Sequence, residues 1–198
     1  MLLGLTGGVA TGKSTFTRIL ARAHPFALFD ADACVHQLLS TDKDMIRAVS
    51  EEFSLPQPES PVAIDRALLR QRIFSDPSAR RRLEAIIHPV VRKRWMALRS
   101  ECLDLGRDFL ADLPLLCETG AEPHFDAVVL VAASPESQRA RLAAKGLEPS
   151  LAEAMLASQW PIGQKVVEAD HVVWNDGSLA GLERQASLLL EHLFSRAA

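Results

Sequence analysis

Short apolar runs alternate with helical patterns along the chain. Leu2–Thr6 has the length and composition of a buried parallel strand, and Gly7-Gly8 end it. Ser14–Ala23 then carries apolar residues at helical spacing, Pro25 ends that helix, and Phe26–Phe29 is predicted to be a second strand. This order of strand, glycine loop, helix and strand predicts the start of a βαβ unit.

The middle of the chain, from Ala33 to about Asp104, is predicted to be almost entirely helical. Its capping signals indicate three helices: Arg66–Phe74 after Asp65, Ser78–Ile87 after Asp76-Pro77, and one from Pro89 to about Leu105. The proline-rich stretch Pro56–Pro61 predicts an extended loop. Because this region separates the second strand from the third, we interpret it as an insertion into an α/β domain.

Strands return in the second half of the chain. They are predicted at Phe109–Leu113, Asp126–Ala132 and His171–Trp174. The predicted helices there are Ser137–Lys145 after a Ser134 cap, a helix reaching Trp160 that opens on a Ser150/Glu153 capping box, and Leu179–Phe194. Five strands mostly separated by helices predict an α/β fold with a mainly parallel sheet covered on both faces.

Composition excludes several classes of protein. A net charge of −3 gives no overall attraction to nucleic acid or to an anionic membrane, so neither partner is expected. Cys34, Cys102 and Cys117 are scattered without a C-x-x-C pair, which argues against a zinc site or a disulfide framework. The sequence has no apolar stretch of the roughly 20 residues that a membrane span requires, and we expect a cytoplasmic protein.

One motif carries specific chemistry. Gly7–Ser14 reads G-G-V-A-T-G-K-S and matches the phosphate-binding loop (P-loop) pattern G-x-x-x-x-G-K-[ST], after an apolar strand and before a helix. Glycines let backbone N–H groups turn toward a phosphate, the Lys13 cation faces the β- and γ-phosphates, and the Ser14 hydroxyl is a ligand for Mg²⁺. The residues predicted to hold ATP here are Gly8, Val9, Ala10, Thr11, Gly12, Lys13, Ser14 and Thr15.

The loop occurs in several classes of nucleotide-binding protein, and the rest of the chain indicates which class this is. The GTPase strings N-K-x-D and D-x-x-G and the transporter string L-S-G-G-Q do not occur in the sequence. A short chain with a helical insertion that could hold an acceptor favours a small-molecule kinase. The motif alone also allows a kinase of another hydroxyl or nucleotide acceptor, or a non-catalytic nucleotide-dependent binding protein.

A kinase needs a group that orients or deprotonates the acceptor hydroxyl. Asp30-Ala31-Asp32 follows the second strand, at the sheet edge where α/β proteins bind ligands, and Asp32 is alternatively the N-cap of a helix Ala33–Leu39. Asp112 ends the third strand and either holds Mg²⁺ through water or caps the strand end. His88 either donates to a substrate phosphate or to Asp32, or packs at a helix break.

Two basic runs, Arg80–Arg82 and Arg92–Arg94, make the predicted insertion positive. They are candidates for binding the diphosphate of an acceptor or RNA. Charge runs of this kind are also typical of solvated helix faces.

Segments along nearly the whole chain resemble dephospho-CoA kinases. The segments are Thr6–Thr15, Asp30–Asp32, Arg66–Pro77, Ile87–Arg92, Asp112–Glu118, Val128–Arg141, Gln159, Lys165, Ala169-Asp170 and Asn175–Gly177. The loop by itself is unspecific, but the loop together with D-A-D, H-P and P-L-L-x-E is a specific combination. Lys145, Cys117 and Trp160–Gly163 depart from the family pattern.

The resemblance implies an ATP-dependent kinase that phosphorylates the ribose 3′-hydroxyl of dephospho-CoA with Mg²⁺, the last step of coenzyme A synthesis. It makes Asp32 the general base, has Lys13 and Arg141 offset charge on the phosphoryl group, and places Asn175 and Gly177 near adenine. Asp32, His88 and Leu115 would bind the acceptor.

The resemblance also implies a three-layer P-loop kinase fold in a single domain. Its core comprises residues 1–32, 106–136 and 170–198, its acceptor-binding helical region residues 33–105, and its lid residues 137–169. We expect a monomer or a weak homo-oligomer.

Overall fold

The computed structural model describes residues 1–55, 64, 68–69, 73 and 76–195. The chain divides into two compact units, one comprising Met1–Phe29 and Cys102–Ala198, the other Asp30–Glu101. The predicted loop at 56–61, the Asp65 cap and most residues of the predicted helix 66–74 lie outside the described residues.

A five-stranded sheet forms the centre of the first unit, in the order β2-β3-β1-β4-β5. The strands are β1 (Leu2–Gly7), β2 (Ala27–Asp30), β3 (Phe109–Asp112), β4 (Ala127–Ala132) and β5 (His171–Trp174). β1 pairs in parallel with β3 and with β4, and β4 pairs in parallel with β5. The predicted α/β class with a five-stranded parallel sheet is confirmed.

Helices surround the sheet and build the second unit. They are α1 (Lys13–Ala23), α2 (Ala31–Thr41), α3 (Lys43–Glu52), α4 (Pro77–Asp104), α5 (Pro135–Ala144), α6 (Pro149–Leu156), α7 (Ile162–Glu168) and α8 (Leu179–Ser195), with a 3₁₀ turn at Glu122–His124. None of the helices in the described part of the chain is long and apolar enough to cross a membrane.

The core of the first unit lies where α1 and α8 pack on the sheet. Phe16 and Leu20 of α1 are fully buried against Leu3 and Val129 of the central strands, and Leu189 of α8 joins the same cluster. Burial of a side chain of this size stabilises the fold by about 2 kcal/mol. These contacts fix the start of α1, and hence the phosphate loop, against the end of β1.

The predicted helix break at Pro89 is wrong. α4 runs without interruption from Pro77 to Asp104, with Pro89 inside it. Proline removes one backbone hydrogen bond and costs a helix about 3 kcal/mol. Ile87, Val91 and Trp95 are buried at intervals of four residues along α4, and we attribute the continuity of the helix to burial of this apolar face, which offsets the local cost.

The alternative of Asp32 as a helix cap and the predicted capping box at Ser150 and Glu153 are both contradicted by the structure. α2 begins at Ala31, and the Asp30 carboxylate accepts a hydrogen bond of 2.9 Å from the Ala33 N–H, so Asp30 is the N-cap and Asp32 lies in the first turn. α6 begins at Pro149, whose fixed φ suits the first helical position, and ends at Leu156 rather than near Trp160. The predicted partner Glu153 instead binds Arg139.

Other capping signals are correct. The Ser134 hydroxyl accepts a hydrogen bond from the Ser137 N–H at the start of α5, over 3.2 Å. The Asp76 carboxylate accepts one of 2.8 Å from the Ser78 N–H at the start of α4. Both have the predicted geometry because a cap and its partner are only two or three residues apart, so the local sequence determines it.

Candidate active site

The phosphate loop connects the end of β1 at Gly7 to the start of α1 at Lys13. Gly12 has a φ of +92°, and a Cβ there would lie 2.1 Å from Nδ2 of Asn175. A Cβ on Gly8 would lie 2.8 Å from Cδ1 of Ile162 in α7. Glycine is required at Gly12 because of both its conformation and its close contact, as the motif predicts.

Side chains from outside the motif bind the carbonyl groups of the loop. Nη1 of Arg141 donates to the carbonyl oxygens of Ala10 (3.1 Å) and Thr11 (3.0 Å), and Nδ2 of Asn175 donates to that of Thr11 (2.8 Å). The side-chain amide of Gln138 donates to the carbonyl of Val9 over 2.5 Å. Since the N–H and C=O of a trans peptide point in opposite directions, the opposite side of the loop is left to its N–H groups.

Arg141 also joins the loop to the end of the sheet. Its Nη2 donates to the carbonyl of Asn175, which directly follows β5. The resemblance implies that this arginine offsets charge on phosphate. In the structure its guanidinium holds the backbone of the loop, and it borders the cavity described below.

Lys13 and Asp112 form a buried ion pair at the carboxyl edge of the sheet. Nζ of Lys13 binds Oδ1 of Asp112, and the Thr17 hydroxyl donates to Oδ2 over 2.6 Å. Asp112 is 2% exposed. The pairing of β1 with β3, with Leu5 opposite Asp112, brings this carboxylate beside the loop.

The same region offers oxygen donors that fit Mg²⁺. The Ser14 side chain is exposed in the first turn of α1, and the Asp112 carboxylate lies at the neighbouring strand end. Hydroxyl and carboxylate oxygens are the hard ligands that this cation takes, and it usually completes its shell with water and substrate phosphates. Among the described residues no group of three or more His, Cys, Asp or Glu is placed to hold a metal ion. This donor set therefore suits a cation that arrives with a phosphate.

A cavity of about 440 Å³ adjoins the loop. The lining residues are Ala10, Gly12, Thr15, Arg141, Ala144, Lys145, Asn175, Leu179 and Leu182. One wall is the loop with Arg141 and Asn175, and another is apolar, from Ala144, Leu179 and Leu182. An apolar slot beside a phosphate loop fits the flat base and ribose of a nucleotide. Lys145, one of the departures from the family pattern, is part of this lining.

The sequence analysis assigned no role to three residues of the site, which are Thr17, Gln138 and Lys165. Thr17 lies one turn after Lys13, and that helical spacing was a usable signal. Gln138 of α5 binds the loop from 129 residues away along the chain, and Lys165 of α7 is completely buried. Neither has a local sequence signal.

The remaining predicted site residues lie in two places. Leu115 is half-buried just beyond β3, where its carbonyl accepts a hydrogen bond from the Thr119 N–H. Gly177 is exposed two residues beyond Asn175. In the second unit, Asp32 is exposed in the first turn of α2, and His88 is half-buried in α4.

Three of the basic side chains predicted for acceptor binding bind acidic partners within the second unit. Arg80 binds Glu84 (2.8 Å), Arg82 binds Glu52 (2.7 Å) and Arg94 binds Asp42 (3.1 Å). Arg81 and Lys93 are exposed. The basic runs are therefore in part structural, and these two side chains are the better candidates for an acidic ligand.

Comparison with known proteins identifies the family. The dephospho-CoA kinase family model matches residues 1–181. A dephospho-CoA kinase of Anaeromyxobacter dehalogenans is 41% identical over 97% of this chain and 92% of its own length. One from Rhodopseudomonas palustris is 37% identical over 96% of this chain and 94% of its own.

Solved structures share the fold. A crystal structure from Thermus thermophilus has a TM-score of 0.75 at 31% identity and covers 98% of this chain and 97% of that one. A dephospho-CoA kinase from Campylobacter jejuni (TM-score 0.65, 24% identity, 96% of each chain) and a shikimate kinase from Bacteroides thetaiotaomicron (0.56, 14%, 98% of each) share the fold. With a family model over residues 1–181 and relatives matching nearly end to end, the chain belongs to the dephospho-CoA kinase family.

Proposed function

We propose that this protein transfers the γ-phosphoryl group of ATP to the ribose 3′-hydroxyl of dephospho-CoA, giving coenzyme A and ADP. The observation that carries the proposal is the buried Lys13–Asp112 pair beside a glycine loop whose carbonyls are bound from outside. Family membership supports this reaction over a kinase of another acceptor and over a non-catalytic binding protein.

ATP binds with its phosphates in the loop and its adenosine in the adjoining cavity. The N–H groups of Gly8–Thr15 and the positive end of α1 face the phosphates. Asn175 and Gly177 lie at the adenosine end, where Leu179 and Leu182 supply an apolar surface for the base. Arg141 keeps the loop in shape and offsets charge on the phosphates from the border of the cavity.

Ser14 and Asp112 would hold Mg²⁺, Ser14 directly and Asp112 through water. The cation supplies neutralisation of phosphate charge and orientation of the phosphates. Lys13 adds a second positive charge at the same edge, and its ion pair with Asp112 positions the ammonium group. Catalysis in this class comes chiefly from positioning and charge stabilisation.

Asp32 accepts the proton of the attacking ribose hydroxyl. It lies two residues beyond the end of β2, and the cap of α2 is made by Asp30, so the Asp32 carboxylate is not needed to cap that helix. His88 and Leu115 contribute to acceptor binding. A positioned carboxylate base of this kind contributes about 10²- to 10⁴-fold in rate.

Each region of the chain has its own role in the proposed reaction. Residues 1–32, 106–136 and 170–198 form the catalytic core, residues 33–105 bind the acceptor, and residues 137–169 form the lid that excludes water from ATP. We place the protein in the cytoplasm as a monomer or weak homo-oligomer, without nucleic-acid or membrane partners.

The test is a coupled assay of ADP release from Mg·ATP with and without dephospho-CoA. We expect strong stimulation, with coenzyme A as the product identified by mass spectrometry. ATP binding without stimulation by dephospho-CoA would contradict the assigned acceptor and call for a screen of other hydroxyl compounds. Slow hydrolysis that no acceptor changes would favour a nucleotide-dependent binding protein.

A further inference from the structure

A buried lysine outside the phosphate loop joins α7 to the segment that follows β3. Lys165 has no exposed surface, and its Nζ donates to the carbonyl of Pro114 and to Oε1 of Glu118, both over 2.9 Å. The same Oε1 accepts a hydrogen bond of 3.1 Å from the backbone N–H of Trp160. One ammonium group thus holds two points of the segment 113–118.

This contact extends to the strand that carries the phosphate loop. The Thr6 hydroxyl, fully buried in β1, donates to the same Pro114 carbonyl over 3.2 Å. The Leu113 N–H donates to the carbonyl of Leu5, but proline has no N–H with which to continue the ladder. Turn hydrogen bonds such as that from the Leu116 N–H to the Leu113 carbonyl shape the segment locally, and Thr6 and Lys165 tie its Pro114 carbonyl, two residues past Asp112, to β1 and to α7.

The free-energy cost of the buried Lys165–Glu118 pair indicates that the pair positions the backbone. A buried ion pair often contributes nothing relative to apolar residues of the same volume, because both charges lose their hydration. Oε2 of Glu118 and Oε1 of Gln159 are buried with no donor among the described residues, which costs further free energy. We therefore attribute the buried Lys165–Glu118 pair to the position that it imposes on the backbone of residues 113–118, and not to a gain in stability.

We propose that Lys165 is a positioning residue for the kinase reaction. It acts through the Pro114 carbonyl and Glu118 to hold Asp112 and Leu115, on either side of Leu113 and Pro114, in the arrangement that turnover requires. The proposal rests on the proposed function, in which Asp112 and Leu115 belong to the site. Ile162 of α7 lies beside Gly8, where an added Cβ would come within 2.8 Å of its Cδ1, so the same helix is placed near the loop and against this segment.

The test compares Lys165→Met alone with Lys165→Met combined with Glu118→Gln. The single change leaves a buried carboxylate without its cation and lowers the melting temperature. The double change removes that charge while Oε1 of the new glutamine still accepts from Trp160, so the melting temperature recovers. We expect kcat of the double variant to stay about 10- to 100-fold below wild type, with KM for ATP nearly unchanged.

A second readout does not depend on the acceptor. Amide hydrogen exchange over residues 115–120 should be faster in the double variant than in wild type at equal global stability. The matched control is Gln164→Met, an exposed change in the same helix, which should alter neither exchange nor turnover.

The outcomes separate the two proposals. Recovery of wild-type kcat together with stability in the double variant, or unchanged exchange at 115–120, would overturn the positioning role of Lys165. Failure of the wild-type protein to make coenzyme A would overturn the proposed function, and the exchange experiment would still decide the positioning role.

Discussion

At the scale of single residues, the site depends on a few residues that are held in place by different contacts. Gly12 is restricted by its φ of +92° and by Asn175, and Asp112 by Lys13 and Thr17. The cap of α2 beside Asp32 is made by Asp30, so the proposed base is not the residue that caps this helix. These differences lead to distinct outcomes for substitutions.

Asp32→Asn should reduce turnover by about 100-fold or more while ATP binding stays nearly intact. The change removes the proposed base without touching the phosphate loop, and a positioned base contributes at least that factor. Steady-state kinetics with dephospho-CoA and calorimetry with Mg·ATP measure the two effects. Asp44→Asn, an exposed change in α3, is the control. Weak ATP binding by the Asp32 variant would contradict the role assigned to it.

Gly12→Ala should destabilise the protein and abolish tight ATP binding. The substitution forces a side chain into a left-handed conformation, at a cost of about 1–2 kcal/mol, and adds a clash with Asn175. Gly106→Ala is a matched control, because Gly106 also has a positive φ (+60°) but a Cβ there meets nothing within 4 Å.

Denaturant unfolding should therefore show a larger loss for the Gly12 variant than for the Gly106 variant, and only the Gly12 variant should lose ATP affinity. Equal losses of stability would show that the contact with Asn175 is unimportant.

At the scale of secondary-structure elements, polar contacts at strand and helix ends hold the first unit together. Nε2 of His24, at the C-cap of α1, lies 2.6 Å from Oδ2 of Asp108, just before β3. The His24 ring stacks on Phe194 of α8 with a centroid distance of 4.2 Å. Three elements of the first unit thus meet at the end of the sheet opposite the phosphate loop.

The contribution of Asp108 to stability should depend on pH. Burial raises the pKa of this carboxyl, but hydrogen bonds from the α-amino group of Met1 and from His24 outweigh burial and hold the pKa below its ordinary value. A lowered pKa in the folded state means that the stabilisation is present above the unfolded pKa of about 3.9 and is lost as the pH falls through the folded value.

Asp108→Asn should lower the free energy of unfolding at pH 7 by about 1 kcal/mol. Urea unfolding of wild type and variant from pH 7 to pH 2 measures the difference, which should shrink toward zero in the acid range. A difference that stays constant down to the most acid pH would show that the carboxylate charge is not its source.

At the scale of the whole molecule, the sheet of the first unit ends at β5, whose outer edge is covered by a side chain. The carboxamide of Gln185 in α8 accepts from the Trp174 N–H (3.2 Å) and donates to the Trp174 carbonyl (2.9 Å). Trp174 itself is 50% exposed. An uncovered edge strand is a template for pairing with another chain, so this contact protects the edge.

Gln185→Leu should increase self-association without changing the fold. The variant leaves the N–H and C=O of Trp174 open on an edge strand beside an exposed indole ring. Sedimentation velocity over a range of concentrations should show more dimer and larger species than wild type, with Gln164→Leu in α7 as the control. Equal sedimentation of the two variants would assign no protective role to Gln185.

Much of the fold was predictable because its signals are local. The strand–loop–helix beginning, the five strands and the caps at Ser134 and Asp76 follow from spacings within one turn of helix or one strand. The wrong predictions at Pro89 and Ser150, and the contradicted alternative of a cap at Asp32, concern positions where several local solutions have similar free energies. At each, burial of an apolar face or a competing neighbour selected the observed one.

The sequence by itself determined the chemistry of the phosphate loop, since the order and spacing of its residues are dictated by strand and helix geometry, and its resemblance to known kinases indicated the family. Only the tertiary structure decided which side chains meet across the sheet. Lys13 binds Asp112 from 99 residues away, Asn175 binds Thr11 from 164 residues away, and Lys165 is buried against Pro114 and Glu118. Such pairs depend on strand order, register and burial, which no local spacing encodes.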